Sequence, residues 1–102
     1  MKFDIQIHPR AAADMEEIHA YISERSENAA DRTIALLQGA ILGLEEYPKR
    51  FAQAPESTRS SIELRHVVAG NYRILYTAIG NGVHIWRVVH AAQAAIKPAD
   101  IF

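Results

Sequence analysis

Residues 61–90 read SIELRHVVAGNYRILYTAIGNGVHIWRVVH. Three runs within them, 61–68, 72–79 and 83–89, are rich in β-branched and aromatic residues and are bounded by Gly or Asn, as short strands are. Asn81-Gly82 is the dipeptide favoured in a two-residue type I′ hairpin, because both central residues must take positive φ. Gly70-Asn71 carries a weaker form of the same signal. The expectation is an antiparallel meander, and with both faces this apolar it needs cover from the rest of the chain.

Working outward toward the N-terminus, Phe3, Ile5 and Ile7 alternate with Asp4, Gln6 and His8, the period of a half-buried strand. Pro9 ends that strand, which is expected to join the edge of the meander. From 10 to 24 the period becomes helical: Ala11, Met15, Ile18 and Ile22 form a stripe, with Asp14, Glu16, Glu17 and Glu24 elsewhere on the wheel. A second helix begins at Ser26 as its cap, carries Ala30, Ile34, Leu37, Ile41 and Leu44 on one face, and stops before Pro48. With almost no chain between them the two form an antiparallel hairpin. Gly39 and Gly43 each cost about 1 kcal/mol relative to alanine in a helix. They point to close packing against the first helix or the sheet, or alternatively to a groove for a partner's helix beside the off-stripe Leu36 and Leu42. Residues 49–60, with Pro55 and a Ser-Thr-Arg-Ser run, predict an irregular loop. The tail, 91–102, predicts one short turn and then fraying.

The 102 residues are expected to make a single domain, 1–102, with its own core. Without cysteine there is no disulfide framework, zinc ribbon or thiol nucleophile. No run approaches the roughly 20 apolar residues of a membrane span and no signal peptide is apparent, so a soluble cytoplasmic protein is expected. Eleven basic against twelve acidic residues give a formal charge of −1, which disfavours a protein that grips polyanionic nucleic acid.

Arg65, Arg73 and Arg87 place one arginine on each run of the meander, among Tyr72, Tyr76, Trp86, His66, His84 and His90. If Asn81-Gly82 is the loop, Arg73 stands opposite His90 on one face and Tyr76 opposite Arg87 on the other. A three-residue first loop puts Arg65 on the face of Arg73; a two-residue loop separates them. One reading is a polar face of Arg73, His90 and Arg65 that binds phosphates or carboxylates. The other is that Arg73 and Arg87 pair with carboxylates such as Glu63. No HExxH, no Gly-rich phosphate loop and no G-x-S-x-G elbow occurs, so neither metal nor other cofactor is expected.

The strings HPRAAADMEEIHAYISERS (8–26), NAADRTIALLQGAILGLEEYP (28–48), LRHVVAGNYRILY (64–76) and VVHAA (88–92) together resemble the RelE/ParE toxins of type II toxin–antitoxin systems over residues 3–93. GNYRILY is the most specific piece, and Pro9-Arg10-Ala11 followed by Asp14 and Ile18 resembles the ParE, plasmid-stabilisation branch. The resemblance implies an α+β fold, an N-terminal strand and a two-helix hairpin packed on a curved four-stranded antiparallel sheet. It implies a cognate ParD-like antitoxin in a hetero-oligomeric complex, DNA gyrase as target, and no membrane or direct sequence-specific nucleic-acid partner. Target- or antitoxin-binding residues would be Arg65, Tyr72, Arg73, Arg87 and His90. Two alternatives stay open: a RelE-like ribosome-dependent mRNA endonuclease using Arg73 and His90, and a non-toxic antitoxin-binding relative. Departing from the nuclease pattern, 61–68 has no lysine; Gln93 stands where many members have arginine.

Overall fold

A computed structural model describes residues 2–59 and 62–102. Ser60 and Ser61, the expected loop end and strand start, lie outside the described residues. The elements run β1 (Asp4–Ile7), α1 (Pro9–Ser23), α2 (Glu27–Leu42), β2 (Arg65–Ala69), β3 (Tyr72–Ile79) and β4 (Gly82–His90), with sheet order β1-β4-β3-β2. The meander is antiparallel, but β1 pairs with β4 in parallel, so the sheet is mixed where a wholly antiparallel one was expected. The helical hairpin carries the chain from β1 across to the far edge, which lets β1 enter beside β4 running the same way. None of the described helices is long and apolar enough to cross a membrane.

Local chemistry sets the helix ends. Pro9 occupies the first turn of α1, where its missing N–H costs nothing. The Ser26 hydroxyl accepts from the Ala29 N–H at 3.1 Å and caps α2. Beyond α2 the Arg50 guanidinium turns back onto the carbonyls of Glu46, Tyr47 and Gly43, satisfying acceptors that the helix end leaves open.

Both hairpin loops have two residues, Gly70-Asn71 and Gly80-Asn81. The second begins one residue earlier than expected: Gly80 takes the positive φ of 58°, and neither Asn81 nor Gly82 does. That is the glycine-first pattern of a type II′ turn, and Gly82 opens β4 instead of closing the loop. Register moves with it. Arg73 stands opposite Val89, Tyr72 opposite His90 and Leu75 opposite Arg87, and a bulge at Leu75/Tyr76 absorbs Trp86.

Even-numbered Tyr72, Ile74 and Tyr76 on β3 face the helices, where Ala11, Leu37, Ile41 and Leu44 meet Val67, Val83, Ile85 and Val88. Leu75 looks the other way, into a second cluster with Ala54, Leu64, Val89, Ile96 and Ile101. The tail therefore does not fray. It is the cover that the second sheet face requires, with a 3₁₀ turn at Pro98–Asp100 and Phe102 edge-on to Trp86, ring centres 4.8 Å apart. On its other side Trp86 stacks on His8 at 3.9 Å, and His8 Nε2 lies 2.9 Å from His84 Nδ1, tying the β1–α1 junction to β4. The expected irregular loop is ordered too. It holds 3₁₀ turns at Pro48–Arg50 and Pro55–Arg59, and its backbone bonds His66 N to Ala52 O (3.2 Å) and Ala54 N to Leu64 O (2.9 Å), covering part of the β2 edge.

Close packing at the α2 glycines is not found. Among the described residues no atom lies within 4 Å of a Cβ built on Gly39, and Gly43 meets only the tip of Arg50 at 3.8 Å. Opposite outcomes follow in the core and on the open face of α2. Leu37→Ala and Ile74→Ala, at fully buried positions, should each lose about 2 to 5 kcal/mol, whereas Gly39→Ala should gain about 0.5 to 1 kcal/mol. Urea midpoints of the three variants measure both; a destabilised Gly39→Ala would place a hidden contact on that face.

Candidate functional site

The odd-numbered face of β3 directs Arg73 away from the helices and under the tail. The residue is 5% exposed and its partner Glu56 is fully buried. Arg73 Nη1 donates to Glu56 Oε1 at 2.9 Å and Nη2 to Oε2 at 2.6 Å, a two-pronged pair. Glu56 also accepts from the Ile96 N–H of the tail at 3.0 Å. Arg73 Nη1 lies 3.2 Å from His66 Nδ1. Burial alone would push the Glu56 carboxyl up, but the guanidinium and the tail N–H outweigh it and hold it down at about 2. Burial, reinforced by the Arg73 charge against the opposing pull of Glu56, keeps His66 below its ordinary value, so its ring stays neutral and can accept. The carboxylate-pairing expectation is thus right in kind for Arg73, with Glu56 as partner; it is Arg65 that pairs with Glu63.

Arg87 is also committed. β1 ends at Ile7, so farther along β4 the Val88 N–H has no strand beside it. Asp14 takes the strand's place: Oδ2 accepts from Val88 N (2.9 Å) and Arg87 Nε (2.7 Å), and Oδ1 from Nη2 (3.0 Å). The remaining Nη1 donates to the Asp100 carbonyl. The Asp14 bonds raise the Arg87 pKa against the effect of burial. Arg65, opposite Tyr76, lies on the other face from Arg73, as the two-residue first loop dictates. Besides Glu63 it donates to the Phe51 carbonyl at 2.6 Å. Next to it the Tyr76 hydroxyl, bonded to the Pro48 carbonyl, is pushed up to about 12 by burial, with Arg65 and Arg50 opposing.

The expected juxtaposition of Arg73 and His90 does not occur; the shifted register puts Val89 opposite Arg73. His90 meets Tyr72 instead, rings edge-on at 5.5 Å, and its Nδ1 accepts from the Ala92 N–H at 3.1 Å. These two residues and Tyr21 of α1 stand between adjoining clefts of about 400 and 390 Å³. Asp14, Glu17, Ile18, Arg87 and Gln93 line the first; Ile22, Leu36 and the Ala69–Asn71 turn line the second. Of the five expected residues, Tyr72, Arg87 and His90 converge on this surface, and Arg65 and Arg73 stand apart from it. Asp14, Glu17, Tyr21 and Glu56 were missed. Tyr21 did carry a signal, being a large aromatic off the α1 stripe, and it is 73% exposed. Glu56 carried none. Among the described residues no group of three or more metal-ligating side chains comes together.

Comparison with known proteins places this geometry. The family described as the ParE toxin of the type II toxin–antitoxin system parDE matches residues 5–95. Toxin RelE1 of Caulobacter vibrioides is 31% identical over 94 residues, spanning 91% of this chain and 98% of that protein. In fold, the chain is similar to a chain of the chromosomal ParDE toxin–antitoxin system from P. aeruginosa, with TM-score 0.70 at 16% identity over 87% of this chain and 96% of the other. It is likewise similar to a chain of the RelBE2 toxin–antitoxin complex from Mycobacterium tuberculosis, with TM-score 0.66 at 21% identity, covering 91% and 95%.

The Glu56 environment yields a signed pH dependence. Its carboxyl ionises more readily folded than unfolded, so the pair contributes on the order of 3 kcal/mol above about pH 4.5. That contribution falls as pH drops from about 4.5 through about 2. Glu56→Gln leaves the Arg73 charge buried and uncompensated, which should cost about 3 to 5 kcal/mol at pH 7 and flatten the acid limb of a stability–pH curve. Urea unfolding between pH 2 and 7 measures both, and an unchanged acid limb in the variant would remove Glu56 from that role.

Proposed function

This chain belongs to the ParE toxin family of type II toxin–antitoxin systems, and from that premise we propose that it arrests growth by poisoning DNA gyrase until a ParD-like antitoxin neutralises it. The observation carrying this choice over RNA cleavage is the state of Arg73. A nuclease needs its cation at the surface, where a scissile phosphate can reach it. Here both prongs of the guanidinium are spent on a fully buried carboxylate beneath the tail. His90 lies on the other side of the sheet in the company of Tyr72, and Arg87, which lines the same cleft, is held by Asp14. The overall charge of −1 points the same way.

What the fold leaves outward is a recognition surface. Tyr72 and His90, with Tyr21 from the hairpin, form the part of the expected site that is open to a protein partner. An acidic antitoxin tail meeting Arg65, Arg73 and Arg87 is not supported, because each of the three already has its carboxylate within the chain. Apolar and aromatic contact is therefore the larger part of antitoxin binding.

Growth after induction without antitoxin, DNA supercoiling, and mapping of message ends separate the mechanisms. We expect growth arrest, inhibited supercoiling and intact messages, and a His90→Gln variant that still arrests growth, its loss limited to the contact that the ring makes on this surface. Removing a general acid or base costs typically 10²- to 10⁴-fold in rate. Cleaved messages, undisturbed supercoiling and a harmless His90→Gln would instead identify a nuclease.

A further inference from the structure

We infer that the cleft between Tyr21 and Tyr72 is a receptor for a cationic side chain, an arginine or lysine set between apolar residues of the antitoxin. This rests on the antitoxin-bound reading above. The charge count of the cleft is the starting point. Its only arginine, Arg87, is neutralised by Asp14, whose two oxygens are filled by Arg87 and the Val88 N–H. His90 accepts at Nδ1 from the Ala92 N–H. Glu17 is left: it lines the cleft, is exposed, and makes no side-chain hydrogen bond or ion-pair contact within 4 Å among the described residues, although it feels the Arg87 charge at longer range. Among its lining residues the cleft thus sets two carboxylates, Asp14 and Glu17, against the single guanidinium of Arg87, an excess of about one negative charge.

The second element is aromatic. Tyr21 is one helical turn from Glu17 on α1, 73% exposed, and it shares both clefts with Tyr72. A guanidinium or ammonium laid on a tyrosine face and directed at a carboxylate gains from both, and the ring contribution grows as the partner excludes water. An acidic side chain in the same place would be desolvated against Glu17 and would gain nothing from the ring faces. The neighbouring cleft supplies the apolar part. Leu36 is 51% exposed there, and its Cδ2 would be 3.0 Å from a Cβ on Gly70, whose φ of +58° already favours glycine. Two open clefts in line, one acidic and aromatic, the other apolar, suit consecutive side chains of a polypeptide better than a single compact ligand.

The test uses the whole chain in two measurements. In the first, N-acetyl-argininamide and its uncharged isostere N-acetyl-citrulline amide are titrated while the ring NMR signals of Tyr21 and Tyr72 are followed. Saturable shifts are expected with N-acetyl-argininamide and none with N-acetyl-citrulline amide; equal response to the two overturns the inference. In the second, the antitoxin co-expressed with the chain is titrated by calorimetry onto the unmodified protein, Glu17→Lys and Tyr21→Ala. Each variant should weaken binding by about tenfold, and Glu17→Lys should reduce the salt dependence. Unmodified affinity in both variants overturns the cationic receptor while the antitoxin reading stands. Tighter binding by Glu17→Lys overturns it in favour of an acidic segment. No antitoxin binding by the unmodified chain overturns the antitoxin reading and this inference with it.

Discussion

The buried Arg73–Glu56 pair is the constraint around which one side of the molecule is arranged. An isolated guanidinium under a sheet face would be prohibitively costly, so the site exists only while the carboxylate arrives from residues 55–59 and the tail closes over both. That requirement orders two segments which local propensity alone would leave loose. The Ile96 N–H completes the carboxylate, and Ile96 and Ile101 then seal the apolar surroundings of Leu64, Leu75 and Val89. Polar satisfaction and apolar burial cooperate here, since neither the pair nor the tail has a dry site without the other.

A smaller device of the same kind operates at the end of β1. Four residues of strand cover only the first part of β4, and the chain must then turn into α1. Asp14, two turns into that helix, accepts the orphaned Val88 N–H and holds Arg87 with the same carboxylate. The helix is thereby fixed against the sheet by a hydrogen-bonded substitute for the missing strand. Its outward residues, Glu17 and Tyr21 among them, consequently take up defined positions beside β3 and β4.

Most of the fold could be read from local pattern. Alternation marked β1, β-branched and aromatic runs bounded by Gly or Asn marked the meander, the 3.6-residue stripes marked the hairpin, and Ser26 and Pro9 marked helix starts. The run Gly80-Asn81-Gly82 misled because it offers two overlapping two-residue loops, Gly-Asn and Asn-Gly, and only the three-dimensional twist decides between them. One step of loop position moved every cross-strand neighbour and separated Arg73 from His90. The arginine partners were less legible still. Glu56 is remote from Arg73 in sequence and sits in a segment without periodicity, and Asp14 is an ordinary polar position on its helical wheel. The tail was misjudged for a related reason: its few apolar residues look weak until a second sheet face is known to need them. Tyr21 stood in plain view as an aromatic out of step with its helix.

Trp86 is the single tryptophan of the chain, and it is clasped from both ends of the sequence, by His8 at the entrance to α1 and by Phe102 at the last position. The protein consequently contains its own optical gauge. Loosening of the helix entrance, or lifting of the strap that shields Arg73, changes the surroundings of the same indole. Unlabelled emission therefore follows how firmly the two extremities are seated together while a partner binds elsewhere.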